Sequence, residues 1–317
     1  MRPSRISITQ AYSSVHMMEL RSRQPRRAMP IPPSPLGPYV ESWSPEALIE
    51  HDALSAGPVA ALSAVLDLPT PAAATGSALP PLWHWLHFLR WPGQRDLGPD
   101  GHPSDGHFLP PIPDRQRMFA GGRCSITRPL TVGEPTRRVS SLGQVATKQG
   151  STGELLFVTV RTEYLQQGAT CLIEEQDLVY RSGRGAAAHP AELDTTTPAR
   201  SDEAWQLPVE ADPALLFRFS ALTANAHRIH YDVPYATGEE GYPALVVHGP
   251  LLVLAMLELV RREAPGKTVG SLSYRLRRPA FAGERLLAAG APGERGAALR
   301  IMSHREERHA TAEVTFA

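Results

Sequence analysis

The most apolar stretch of the chain reads, over residues 246–262, Val-Val-His-Gly-Pro-Leu-Leu-Val-Leu-Ala-Met-Leu-Glu-Leu-Val-Arg-Arg. Pro250 suits the first turn of a helix, and the residues after it are mostly strong helix formers. Glu258, together with the His-Gly-Pro segment, interrupts the apolar run, which argues against a membrane span. We predict a helix from Pro250 to Arg262.

Segments rich in valine, threonine, leucine and isoleucine lie on both sides of this helix, with short glycine-containing turns between them. Closely spaced strands of this kind predict an antiparallel meander. The predicted strands are Arg123–Val132, Thr136–Gln149, Leu155–Tyr164, Thr170–Arg181, Val269–Pro279, Arg285–Gly290, Ala297–His304 and His309–Phe316. A helix wrapped by an antiparallel meander is the outline of a hot-dog fold, so the predicted class is α+β.

An internal repeat indicates two such units in one chain. Arg128–Glu134 and Arg278–Glu284 both read Arg-Pro-x-x-x-Gly-Glu, 150 positions apart, and each lies between the first and second strand of its meander. Matching turns in matching strand context predict two superposable antiparallel sheets packed side by side, a double hot-dog.

The remaining segments divide the chain. We predict a disordered head and linker at residues 1–40, a degenerate hot-dog domain at 41–185, a linker at 186–212, and a catalytic hot-dog domain at 213–317. Ser44–Leu68 has the pattern of two helices divided at Gly57 and Pro58, and Pro213–His230 that of a helix or loop.

Composition limits the function. Charged residues make up 20% of the 317 and cancel to a formal net charge of +0, which argues against a nucleic-acid partner. Two isolated cysteines form neither a disulfide framework nor a metal site and fit a reducing compartment. The arginine-rich residues 1–30 have the composition of a transit peptide, or reflect a true start at Met17, Met18 or Met29. We therefore expect a cytoplasmic protein without membrane contact, with the mitochondrial matrix as the alternative.

The densest polar cluster is Asn225-Ala226-His227-Arg228-Ile229-His230-Tyr231-Asp232. A second segment, Val246–Leu252, follows closely, and its Gly249 allows close backbone approach to a ligand. A helix that starts at Pro250 points its free N–H groups outward and stabilises negative charge there. The two segments together provide a base and an oxyanion site, whereas the cluster alone would also suit a solvated loop.

Residues 219–252 resemble the MaoC-like hydratases, the (R)-specific enoyl-CoA hydratase family. In this resemblance Asn225 takes the position of the family's catalytic aspartate and His230 that of its catalytic histidine. His227 takes the place of an asparagine and Arg228 that of a proline. The Val-His-Gly turn at Gly249 aligns with the turn whose backbone N–H binds the thioester oxygen.

Over residues 41–317 the chain resembles the double-hot-dog branch, which includes mesaconyl-CoA and itaconyl-CoA hydratases and mitochondrial-type 3-hydroxyacyl-thioester dehydratases. The segments that carry this likeness are Leu222–Asp232, Met118–Gly122 and Glu174–Tyr180. The resemblance implies a hydro-lyase of fatty acid metabolism that adds or removes water across an α,β-unsaturated acyl thioester. The carrier would be coenzyme A or acyl carrier protein, with no metal or redox cofactor, and the assembly could be a homodimer of double hot-dogs.

The resemblance also suggests roles. His230 takes a proton from water and returns it to the α-carbon, while Asn225, which cannot titrate, holds the water. The Gly249 N–H binds the thioester oxygen. Asp232 orients His230, or replaces the lost acid, or stabilises a turn.

The other site residues have two readings each. Arg228 either reads a carboxylate or phosphate of the substrate or braces its loop, and His227 and His248 either contact substrate or are structural. The first half lacks both motifs, and its aromatic residues either line an acyl tunnel or are core: Trp83, Trp85, Phe88 and Trp91. Two rival functions remain open, a hot-dog thioesterase and a non-catalytic acyl-thioester-binding module.

Overall fold

The computed structural model describes residues 35–150, 153–183 and 192–317. The predicted disordered head up to residue 34 and the linker residues 186–191 lie outside this range. The helices are α1 Gly37–Val40, α2 Ala56–Val65, α3 Pro213–Leu222 and α4 Gly249–Glu263. The strands are β1 Leu48–Asp52, β2 Arg115–Ile126, β3 Thr136–Gly150, β4 Gly153–Gln166, β5 Ala169–Ser182, β6 Trp205–Glu210, β7 Val269–Leu276, β8 Arg285–Pro292, β9 Gly296–Met302 and β10 Ala310–Phe316.

All ten of these strands form one antiparallel sheet in the order β1-β3-β4-β5-β2-β7-β10-β9-β8-β6. Read inward from either edge, the strand order of the first half matches that of the second. The two halves are therefore related by approximate two-fold symmetry and meet at their edges. Pairing between β2 and β7 joins the two predicted sheets into one. The fold class is α+β with the hot-dog arrangement, as predicted.

The β2–β7 junction requires glycine in β2. A Cβ added at Gly121 would lie 2.3 Å from the backbone oxygen of Tyr274, and one added at Gly122 would lie 2.6 Å from both the backbone oxygen of Glu175 and the hydroxyl of Tyr274. The Ala-Gly-Gly segment is thus explained by the close approach of the two halves.

The repeated turns occupy equivalent places, as the sequence repeat predicted. Gly133 and Gly283 have φ angles of 85° and 88°, in the left-handed region that favours glycine. The N–H of Gly133 donates to the oxygen of Leu54, and that of Gly283 donates to the oxygen of Ala211. Each turn thus closes its meander against the residue that precedes α2 or α3.

The two halves differ where the central helix lies. In the second half β7–β10 wrap α4, whose residues Leu251–Val260 are all buried. The corresponding place in the first half holds a short 3₁₀ turn, Trp83–Leu86. Trp83 is core, whereas Trp91 is 74% exposed on the surface, so the four aromatic residues do not share one environment.

The prediction of helix across Ser44–Leu68 was wrong in its first part. Leu48–Asp52 is an edge strand that pairs with β3, and its side chains alternate between partly buried and exposed. Pairing with a neighbouring strand overrides weak local helix propensity. The helix begins only at Ala56.

Other predicted boundaries also shift. The predicted linker contains strand β6, which pairs with β8 at the far edge, where Pro208 is tolerated because one side of the strand makes no ladder. Strand β2 begins at Arg115, earlier than Arg123, because its first part pairs with the end of β5. Among the described residues no helix is long and apolar enough to cross a membrane.

Candidate active site

A tight reversal after α3 places the polar cluster. Ala224 has a φ angle of 49°, and the N–H of Asn225 donates to the oxygen of Ser220 at 2.9 Å. The Oδ1 of Asn225 accepts from the N–H of His227 at 3.0 Å, which is an Asx turn. A 3₁₀ turn from Arg228 to His230 follows. This chain reversal brings the histidines of the cluster to the start of α4.

His230 is held in one tautomer. Its Nδ1 lies 2.7 Å from the carbonyl oxygen of Val246, which only accepts, so Nδ1 carries the hydrogen and Nε2 keeps a lone pair. The side chain is 7% exposed, and burial lowers its pKa to about 4, although the hydrogen bond to Val246 opposes this shift. His230 is therefore neutral near pH 7 and can act as a general base through Nε2.

His248 packs directly against His230, with the two rings stacked at 3.7 Å between centroids. Its Nε2 lies 2.9 Å from the hydroxyl of Ser220, and its Nδ1 is buried without a protein partner in the described part of the chain. Burial lowers the pKa of His248 to about 2, so it is neutral as well. A neutral ring at this place allows His230 to accept a proton without an adjacent positive charge.

Gly249 begins α4, with His248 as its N-cap. An N–H in the first turn of a helix has no acceptor within that helix and points toward any group at its end. A Cβ at Gly249 would lie 2.3 Å from Cδ1 of Leu276, so a larger residue here would require the end of that side chain to move. The structure thus brings the ring of His230 to the N-terminus of α4, through its stacking on the N-cap residue His248.

A loop of the first half, residues 97–103, contacts the polar cluster, and the sequence analysis missed this contact. Its His102 lies 4.0 Å from His227 between ring centroids, and the Nδ1 of His102 lies 2.9 Å from Oδ2 of Asp100. The N–H of Arg228 donates to the backbone oxygen of Asp100 at 2.8 Å. The one local signal was the Asp-Gly-His-Pro sequence, which is typical of a turn and does not indicate its partner.

Arg228 and Asp232 form a salt bridge across one turn. Nε of Arg228 donates to Oδ2 of Asp232 at 2.9 Å, and Nη1 donates to the backbone oxygen of Pro99 at 2.9 Å. The guanidinium also lies over the ring of Tyr235, 4.2 Å from its centroid. Oδ1 of Asp232 accepts from the N–H of Tyr235 at 3.2 Å. These contacts are those of residues that brace a loop.

Three side chains offer ligand atoms that lie within 4.8 Å of one another: Asp100, His102 and His227. They form the one such group found in residues 35–150, 153–183 and 192–317. A surface cleft of about 420 Å³ lies elsewhere, beside β1 and the start of β3, and is lined by none of the predicted site residues. We therefore identify the candidate site by the chemistry of its side chains and not by the volume of a cleft.

The first half repeats the backbone of the site without its chemistry. Asp67 has a φ angle of 52°, close to that of Ala224, and is followed by Leu68 where the second half has Asn225. Pro80 occupies the position that corresponds to His248, the N-cap residue of α4. The residue before each makes the same backbone hydrogen bond: Leu79 donates to the oxygen of Leu130, and Val247 donates to that of Ala280. The approximate symmetry of the fold thus does not extend to Asn225 and His248.

Solved structures share this architecture. A crystal structure of HtdX from Mycobacterium tuberculosis superposes with a TM-score of 0.57 at 16% identity, covering 86% of this chain and 100% of the other. A MaoC-like dehydratase from Phytophthora capsici superposes with a TM-score of 0.62 at 13% identity, covering 86% and 96%. At these identities the likeness shows the fold alone.

Sequence relatives are closer. The chain is 48% identical over 233 residues to mesaconyl-C(4)-CoA hydratase of Chloroflexus aurantiacus, covering 74% of this chain and 81% of that one. It is 30% identical over 269 residues to the mitochondrial hydroxyacyl-thioester dehydratase type 2 of Schizosaccharomyces pombe, covering 75% and 88%. Residues 82–282, which include the His102 loop and the polar cluster Asn225–Asp232, match the family profile of hydroxyacyl-thioester dehydratase type 2. The chain therefore belongs to the hydroxyacyl-thioester dehydratase type 2 family.

Proposed function

We propose that this protein is a hydro-lyase that adds water to, or removes it from, an α,β-unsaturated acyl thioester. The observation that carries the proposal is the neutral, buried His230, whose ring stacks on His248, the N-cap residue of α4. A hydratase and a dehydratase among the relatives support the same reaction class.

The mechanism follows from these positions. His230 takes a proton from water through Nε2 as the water oxygen bonds to the β-carbon. The negative charge that develops on the thioester oxygen is stabilised by the N–H of Gly249 and by the helix N-terminus. The Oδ1 of Asn225 already accepts from the N–H of His227, but its second lone pair and its NH₂ group can hold the water.

The substrate we propose is a small dicarboxylic acyl-CoA of the mesaconyl or itaconyl type, with longer enoyl thioesters as the alternative. The support is the 48% identity to a relative whose name gives mesaconyl-C(4)-CoA as its substrate. We further propose that no metal or redox cofactor takes part, and that the protein acts in fatty acid metabolism in the cytoplasm, with the mitochondrial matrix as the alternative. A homodimer of double hot-dogs is the assembly we propose.

Hydration assays on crotonyl-, mesaconyl-, itaconyl- and longer enoyl-CoA test this function, with product analysis by mass spectrometry. We expect a 3-hydroxyacyl thioester and the highest kcat/KM with mesaconyl- or itaconyl-CoA. His230→Ala is the matched inactive control, with turnover lowered by about 10² or more. Release of free thiol would instead indicate a thioesterase, and binding without turnover a non-catalytic module; either result would exclude the proposal.

A further inference from the structure

Asp100 and His102, in a loop of the first half, lie against the polar cluster, whose Asn225 cannot titrate. We propose that Asp100 and His102 are positioning residues of the hydratase site, which hold His227 against His230 and supply the negative charge that Asn225 lacks. The inference rests on the proposed function and deepens it, because it assigns catalytic support to the first half.

The loop of residues 97–103 and the polar cluster Asn225–Asp232 are in direct contact. The ring centroid of His227 lies 5.5 Å from that of His230 and 4.0 Å from that of His102. His102 in turn bonds to the carboxylate of Asp100. The backbone of the two loops is in direct contact, since a Cβ at Gly101 would lie 1.8 Å from the oxygen of Ala226. The position of Asp100 is therefore linked to that of the catalytic cluster.

The carboxylate within the cluster is already paired with a cation. Asp232 is paired with Arg228 at 2.8 Å. Asp100 instead bonds to a histidine, and its pKa is lowered to about 2 because the bond to His102 and the charge on that ring outweigh its burial. Asp100 is thus ionised at neutral pH, and its negative charge acts on the histidines through its bond to His102.

The surroundings of His102 make this charge important. Burial lowers the pKa of His102, and the cations Arg115 and Arg117 on β2 lower it further, while Asp100 raises it. Burial and the neighbouring charges of His102 and His230 lower the pKa of His227 to about 2, and Asp100 again acts in the opposite sense. Asp100 is therefore the group that favours a transient positive charge on these rings.

A metal site is the competing interpretation of the same three residues. One observation argues against it. Oδ2 of Asp100 and Nδ1 of His102 lie 2.9 Å apart and already bond to each other.

The proposed proton path balances. In hydration a water O–H bond breaks as His230 gains the proton, the oxygen bonds to the β-carbon, and the C=C electron pair moves to the α-carbon and thioester oxygen. The proton then passes from His230 to the α-carbon, where the C–H bond forms. His230 ends neutral, and Asp100 stabilises the positive charge, through His102 and His227, while the proton is on His230.

The experiment compares kcat, KM and the pH profile of wild type, Asp100→Asn and His102→Gln with mesaconyl-CoA and crotonyl-CoA. We expect kcat to fall by about 10² in both variants with little change in KM. In Asp100→Asn the acid limb of the profile should move to lower pH, because a carboxylate raises the pKa of neighbouring histidines. His107→Gln is the matched control, since this exposed histidine of the same region bonds only to the oxygen of Glu46.

A rescue variant separates charge from structure. Asn225→Asp added to Asp100→Asn should restore about tenfold of the lost kcat, because it returns a carboxylate to the site. Wild-type kcat in Asp100→Asn, or losses without a pH shift and without rescue, would overturn the proposal. So would loss of wild-type activity with EDTA and recovery with Zn²⁺, which would assign a metal site. A wild-type chain inactive on every thioester would refute the proposed function itself, and this inference with it.

Discussion

Gly101→Ala tests whether the contact between the two loops matters for catalysis. The added Cβ would lie 1.8 Å from the oxygen of Ala226 and 2.8 Å from its carbonyl carbon. Because carbon and oxygen normally approach to about 3.3 Å, the loops must separate by roughly 1.5 Å. The φ angle of +87° adds about 1–2 kcal/mol of backbone strain.

A displacement of this size also breaks the hydrogen bond from the N–H of Arg228 to Asp100 and moves His227. Since misplacement by 1 Å can lower a rate by about 10², we expect that loss in kcat. Steady-state hydration kinetics and thermal denaturation provide the measurement.

Gly76→Ala is the matched control for strain without a clash. Gly76 has a φ angle of +84°, and an added Cβ meets nothing within 4 Å. We expect it to lower the melting temperature while kcat stays at the wild-type value. Unchanged kcat in correctly folded Gly101→Ala would refute the view that the first-half loop supports the catalytic cluster.

Four further outcomes are expected. Asn225→Asp should keep or raise turnover and make it newly sensitive to pH through the added carboxylate; abolished activity in a folded variant would refute the water-holding role. Arg228→Gln should change KM equally for mesaconyl-CoA and crotonyl-CoA, because its guanidinium is bound within the protein, whereas a selective change would assign it the substrate carboxylate. Gly122→Ala should destabilise the β2–β7 junction by about 1–3 kcal/mol, seen in chemical denaturation, since the new Cβ would lie 2.6 Å from the hydroxyl of Tyr274. His227, His230 and His248 have pKa values lowered below 6.5, so in acid the unfolded chain binds more protons than the folded protein does. Their contribution to the free energy of unfolding is complete above pH 6.5. As the pH falls toward 4, the free energy of unfolding measured in denaturation curves should decrease by up to about 1.4 kcal/mol per pH unit for each histidine.

The approximate symmetry of the fold has a functional consequence. The two halves share their turns and strand order, yet only the second half has the long buried helix α4 and the residues at its start. The first half keeps the backbone reversal at Asp67 but follows it with Leu68, which can neither donate nor accept a proton. Its contribution is instead the loop with Asp100 and His102.

Local sequence patterns predicted much of the secondary structure of this protein. Helix α4, the central strands and the repeated Arg-Pro-x-x-x-Gly-Glu turns depend on periodicity and turn chemistry within a few residues, and these predictions were confirmed. The proximity of His230 to Gly249 was also predictable, because a short segment joins them. Their roles in catalysis remain predictions that the experiments above address.

The edge strands and the second half of the site were decided only by tertiary structure. Strands β1 and β6 have weak local signals, since an edge strand is stabilised by pairing on one side with a partner distant in the sequence. The contact of the Asp100 loop with the catalytic cluster joins parts of the chain that no periodicity relates. The tautomer and depressed pKa of His230 likewise depend on the carbonyl of Val246 and on burial, and both exist only once the chain is folded.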